Sequence, residues 1–200
     1  MSKLTFKYGA MNSGKSNLLI NAAYNYTEQG LPVVTMKPFI DTKGDEFIIA
    51  RTGATRAVDI LARPEDDVRK EVKLYIARMA LEKLHCVLVD EAQFLLPEQI
   101  DQLSEIAKID KISVIAHGLR TDFMTHLFPG SARLFELADR IERIPTMCGC
   151  GDQAEFNCRK IGGIYRFEGS QVAIEGENEV TYDSLCLKCY KDERDKLLTK

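Results

Sequence analysis

Gly9-Ala10-Met11-Asn12-Ser13-Gly14-Lys15-Ser16 stands between Leu4-Thr5-Phe6-Lys7-Tyr8 and the stretch from Asn17 to Tyr26. The first of these flanks alternates and carries β-formers, so it reads as a strand. The second reads as a helix. The octet between them fits G-x-x-x-x-G-K-[ST] throughout, and that spacing has a physical cause. Two glycines let the backbone curl until successive N–H groups point inward at phosphate oxygens. The helix that follows adds its positive N-terminal end. Lys15 brings a full charge to the β- and γ-phosphates, and Ser16 offers a hydroxyl to Mg²⁺. The expected ligand is a nucleoside triphosphate.

Outward from this loop, the chain repeats the same alternation of element types. Gly30 closes the first helix, and Pro32-Val33-Val34-Thr35-Met36 predicts a second strand. Residues 37–57 are polar, with Gly44 and Gly53, and read as a long loop. A helix is expected after Pro64, with Val72, Ile76, Met79, Ala80 and Leu84 at helical spacing. Cys86-Val87-Leu88-Val89 is a continuous apolar run, the pattern of a strand buried on both faces. Pro97 to Ala107 predicts a helix with Ile100, Leu103 and Ile106 on one face. Ile112 to Ala116 is a further buried strand, and Ala132 to Asp139 a helix. Strands alternating with helices imply an α/β fold: a mostly parallel sheet with helices on both faces.

Two carboxylates, Asp90 and Glu91, end the buried run at Val89. Ligands of such sheets bind at the carboxyl ends of the strands. Asp90 is therefore expected beside the phosphate loop, holding Mg²⁺. Neighbouring residues on a strand point to opposite sides, which lets Glu91 face a phosphoryl acceptor and take a hydroxyl proton. Gly118-Leu119-Arg120-Thr121-Asp122-Phe123 follows the next strand and reaches the same edge, as an acceptor site or simply a loop. Phe94, Phe123 and Phe128 could stack on a planar base, although core packing is the commoner use of Phe.

Charge and composition narrow the function. In 200 residues, 27 Lys and Arg against 30 Asp and Glu give a net charge of −3, which argues against coating nucleic acid by charge alone. An apolar fraction of 45% supplies an ordinary core. No run approaches the ~18 apolar residues that cross a bilayer. The N-terminal residues lack the apolar core of a signal peptide, so a cytoplasmic protein with reduced thiols is expected. Five of its six cysteines follow residue 147. There the texture changes to glycines, cysteines and short β-like runs. This divides the chain into an α/β domain at 1–145, a small domain at 146–192 and a charged tail at 193–200. Cys148 and Cys150 pair with Cys186 and Cys189 as ligands for a closed, structural Zn²⁺. Cys158 is a spare that could replace Cys148 or Cys150. Cys86 reads as core, and His85, His117 and His126 as structural.

The octet, Asp90-Glu91-Ala92-Gln93-Phe94, Gly118 to Phe123, the paired cysteines and Tyr182 together resemble the type II, or cellular-type, thymidine kinases. The resemblance runs through nearly the whole chain. It implies a P-loop NTPase-like (RecA-like) sheet carrying a zinc-anchored lasso that closes over the base. It also implies transfer of the ATP γ-phosphate to the 5′-hydroxyl of thymidine or deoxyuridine, a homotetramer, dTTP as feedback inhibitor and a role in nucleotide salvage. Glu91 matches the catalytic base. Asp41, Lys43 and Gln93 join Gly9 to Ser16 and Asp90 around ATP and Mg²⁺. Met11, Phe94, Leu119, Phe123, Phe128, Val172, Ile174 and Tyr182 match positions around the nucleoside. The stretch from Ile174 to Tyr182 departs from the family's I-G-G pattern, and Lys43 stands where members often carry Arg. A competing reading is a nucleic-acid-dependent P-loop ATPase with a zinc ribbon, since Asp90 to Gln93 also resembles a helicase element. The roughly 50 residues after 150 are too few for the second nucleotide-fold domain such motors use. No nucleic-acid or membrane partner is expected.

Overall fold

The computed structural model describes residues 2–41, 46–171 and 180–198. Its α/β part is built from strands β1 (Leu4–Tyr8), β2 (Val33–Pro38), β5 (Ile60–Ala62), β6 (Cys86–Val89), β7 (Ser113–Gly118) and β8 (Arg140–Arg143). They form one parallel sheet in the order β5-β2-β6-β7-β1-β8. Helix α1 (Lys15–Glu28) covers one face. Helices α2 (Val68–Arg78), α3 (Pro97–Lys108) and α4 (Pro129–Leu137) cover the other.

Strand alternation explains the two cores. Phe6, Met36, Val87, Val89 and Val114 point to the face that packs Ile100, Leu103, Ile106 and Leu134. Val33, Cys86 and Leu88 point the opposite way, onto Leu19 and Ala23 of α1. With every strand parallel, the carboxyl ends of β1, β2, β6 and β7 share one edge. That edge collects the phosphate loop, the Asp90-Glu91 pair and the segment after Gly118.

The chain departs from the sequence expectation in several places. The 37–57 stretch is not a plain loop: β3 (Phe47–Ile49) and β4 (Thr55–Ala57) form an antiparallel hairpin. Three-residue strands are too short to show a period, and only Ile48 reaches the core. Helix α2 is capped by the Asp67 side chain and stops at Arg78, and Ala80 turns the chain at φ 47°. Met79 is thus exposed, and Leu84 enters the core from the connection. Helix α4 starts at Pro129, earlier than expected. A Cβ on its Gly130 would lie 2.5 Å from the Leu95 carbonyl oxygen and 2.9 Å from those of Ala92 and Gln93. The close approach presses α4 onto the 3-10 turn Ala92–Phe94. Finally, α5 (Leu187–Leu198) carries helix into residues read as a tail.

Beyond β8 lies an antiparallel sheet in the order β10-β9-β11, made by β9 (Phe156–Ile161), β10 (Ile164–Arg166) and β11 (Val180–Leu185). Its small core packs Ala154, Cys158, Leu185 and Tyr190 with Phe156 and Phe167.

Candidate active site

The phosphate loop leaves β1 at Gly9, where no side chain fits. A Cβ there would meet the Ser13 hydroxyl at 2.5 Å and the Ile144 carbonyl at 2.8 Å. Asn12 and Gly14 both take positive φ, 65° and 80°. The octet thus folds as the curl its spacing predicts. Lys15 is buried, and its Nζ donates to the Ala10 carbonyl at 2.9 Å and, longer, to Gly9 and Ser13 at 3.4 Å. The ammonium is therefore held inside the curl, where a phosphate would meet it.

Asp90 directly follows β6, with only 4% of its surface exposed. The Ser16 hydroxyl and the Lys15 ammonium lie close enough to favour its charged form. Burial, followed by the Glu91 carboxylate, outweighs both and pushes the Asp90 carboxyl up to about 7. Its Oδ1 is buried and accepts no hydrogen bond among the described residues. A buried oxygen without a donor is costly, and a cation shared with the Ser16 hydroxyl would satisfy it. The residues present thus fit a Mg²⁺ ion between loop and strand.

Glu91 leaves the strand in the left-handed conformation, φ 47° and ψ 38°. Gln93 Nε2 donates to Glu91 Oε2 at 2.6 Å, and Gln93 Oε1 accepts the Leu119 N–H at 2.9 Å. Gln93, expected at the nucleotide, is buried, and its amide bonds both Glu91 and the segment after β7. A cavity of about 220 Å³ opens beside these groups, lined by Met11, Lys15, Ser16, Glu91 and Leu119. Its far wall is the hairpin tip from Ile49 to Thr52, and Thr52 Oγ1 reaches Asn17 Oδ1 at 3.1 Å.

The three phenylalanines divide. Phe94 and Phe128 meet edge to face, 5.5 Å between centroids. Phe123 is fully buried, and the Arg159 guanidinium covers its ring at 3.8 Å. That face of Phe123 is therefore closed to a base. Asp122 holds the 122–126 turn through the N–H groups of Met124 and His126. Arg159 also donates to the Tyr182 hydroxyl at 3.0 Å and to the carbonyls of Ser170 and Gln171. Asp41 pairs with the buried Lys37 at 3.3 Å. Lys43, Val172 and Ile174 lie outside the described residues.

Asn157, Arg159, Lys37 and the hairpin wall were not foreseen. Each is a polar residue or short turn in an ordinary strand context, and only the folded chain shows its partners.

The sulfur atoms of Cys148, Cys150, Cys186 and Cys189 lie within 4.8 Å of one another. A tetrahedral zinc with bonds of about 2.3 Å sets its sulfurs about 3.8 Å apart, and Cys150 and Cys186 stand at 3.6 Å. Burial opposes ionisation of Cys148, yet N–H groups of Cys150 and Cys186 help bring its thiol down to about 7. This donor set fits Zn²⁺. Cys158 is outside the cluster, and burial pushes its thiol up to about 12. It replaces neither Cys148 nor Cys150.

Comparison with known proteins agrees with this geometry. Residues 2–190 match the family model for thymidine kinase. A thymidine kinase of Ruegeria pomeroyi is 42% identical over 194 residues, covering 96% of this chain and 95% of its own. One of Mannheimia succiniciproducens is 38% identical over 200 residues, with 98% and 99% covered. That of enterobacteria phage T4 is 39% identical over 199 residues, with 98% and 100% covered.

Proposed function

The chain belongs to the thymidine kinase family, and from that premise we propose that it moves the ATP γ-phosphoryl group to the thymidine 5′-hydroxyl with Glu91 as base. The observation that carries this reading is the meeting of Lys15, Ser16 and Glu91 at one cavity, with the buried Asp90 beside them. The curl from Gly9 to Ser16 binds the triphosphate through backbone N–H groups, and Lys15 neutralises charge that spreads over the transferring group. Ser16 and Asp90 would hold Mg²⁺, which would supply charge neutralisation for the phosphates. Glu91, fixed by Gln93, orients the 5′-hydroxyl and receives its proton as the O–P bond forms. The hydroxyl oxygen becomes bonded to phosphorus, and ADP leaves with the electron pair of the broken bond.

Phe94, Phe128, Leu119 and Met11 supply an apolar site for a neutral, planar base. The resemblance to the family adds a cover over that base, which Zn²⁺ held by the four cysteines would anchor. The family resemblance adds a homotetramer, inhibition by dTTP, action in nucleotide salvage and a cytoplasmic setting. No helix among the described residues is long and apolar enough to cross a membrane. A motor-type ATPase is disfavoured because the described residues hold one parallel sheet, a small antiparallel one and a two-stranded hairpin.

Incubating the protein with γ-labelled ATP and a panel of nucleosides tests the reading. Label should appear in the monophosphates of thymidine and deoxyuridine. ATP turnover that rises with a polynucleotide, and with no nucleoside, would replace it with the motor reading.

A further inference from the structure

Met11, the third residue of the phosphate loop, has both backbone groups held by the C-terminal sheet. Its N–H donates to Asn157 Oδ1 on β9 at 2.7 Å. Its carbonyl accepts the Ser184 hydroxyl on β11. Asn157 is 3% exposed, and its Nδ2 donates to the Thr121 carbonyl at 3.0 Å. Thr121 lies two residues beyond Leu119, whose N–H is held by the Gln93 side chain that also grips Glu91. A hydrogen-bonded series therefore runs from the donor loop, through Asn157 and the segment after β7, to Glu91.

The amide of Asn157 works only one way round. Turned over, it would set N–H against the Met11 N–H and oxygen against the Thr121 oxygen. Its position thus fixes the spacing between the phosphate loop and the acceptor segment. Partners 146 and 173 residues away in the chain close this clamp on Met11.

We propose that Asn157 and Ser184 are positioning residues for phosphoryl transfer, holding the Met11 peptide so that the phosphate loop stays in register with Glu91. The identity of donor and acceptor in this proposal rests on the thymidine kinase reading. Neither residue touches the reacting atoms. Both act through the peptide of a loop whose curl decides where the γ-phosphate lies. In-line attack needs reacting atoms about 3–3.5 Å apart, and a misplacement of about 1 Å costs on the order of 10²-fold in rate.

The test compares Ser184→Ala, Ser184→Thr and Asn157→Leu with the parent by ADP titration calorimetry, thymidine binding without nucleotide, melting midpoint and turnover. Ser184→Ala and Asn157→Leu should bind ADP several-fold more weakly and lose about 10- to 100-fold in kcat. Thymidine binding should hold, and Ser184→Thr, which keeps the hydroxyl, should stay close to the parent. Unchanged ADP affinity and kcat in folded Ser184→Ala would overturn the proposal. So would a loss of thymidine affinity that matches the loss of kcat. If Asn157→Leu fails to fold, Ser184→Ala decides alone. If the parent binds ADP but labels no nucleoside, the functional reading fails while the ADP affinities still judge the clamp.

Discussion

Glu91 sits where a side chain is strained, at φ 47°, and a non-glycine residue there costs about 1–3 kcal/mol. The strain persists because the Gln93 bond and the packed 3-10 turn over-determine the conformation. Replacing Gln93 by Leu keeps the bulk but frees Glu91 and leaves the Leu119 N–H unpaired. Turnover should fall about tenfold or more while ADP binding stays intact, which steady-state kinetics beside calorimetry will show. His117 presents a different kind of residue-level constraint. It is buried at the end of β7, with Lys7 and Lys15 near. Burial first, then the two lysines, lowers its pKa from 6.5 to about 3. Between those values the unfolded chain takes up a proton that the folded chain refuses. Stability from this residue is therefore complete above pH 6.5 and falls as the pH drops, by up to about 1.4 kcal/mol per pH unit. Urea melts of a His117→Gln variant should show a shallower acid loss than the parent, and equal slopes would contradict the account.

Helix α4 and the 3-10 turn it presses on form the support beneath this residue set. Adding one methyl at Gly130 must move either the helix or the carbonyls of Ala92, Gln93 and Leu95. Gly130→Ala should destabilise by about 1–3 kcal/mol and also lower kcat, because the turn carries Gln93. Urea denaturation beside steady-state kinetics separates the two effects. The elements legible in the sequence were those whose burial leaves a periodic trace. Cys86 to Val89, buried on both faces, and Ile100, Leu103 and Ile106 on one helical stripe are such cases. The β3–β4 hairpin left none, since one buried residue, Ile48, makes no pattern. The phosphate loop was legible because its chemistry demands fixed spacing within eight residues. Asn157 and Arg159 were not, because their roles depend on partners in other elements. Gln93 was legible as part of a motif, yet its orienting task emerges only once β7 lies beside β6 and brings Leu119 within reach.

The molecule as a whole joins two sheets through the site between them. The C-terminal sheet and α5 reach the rest of the chain through Met11, Thr121 and the Phe123 carbonyl, which accepts the buried Tyr190 hydroxyl of α5 at 2.9 Å. Its four-cysteine knot is therefore expected to matter beyond its own small core. Elemental analysis should find about one zinc per chain. Cys189→Ser should lose that zinc, melt earlier and bind thymidine more weakly, whereas a folded, metal-free parent would end the zinc assignment. The account depends most on the division of labour between Asp90, as holder of the metal, and Glu91, as acceptor of the hydroxyl proton. Single-turnover transfer of labelled γ-phosphate to thymidine by Glu91→Gln, with both substrates saturating, tests that division directly. Bound ATP and thymidine with the transfer rate down about 10²- to 10⁴-fold is the predicted result, and transfer at the parent's rate would contradict it.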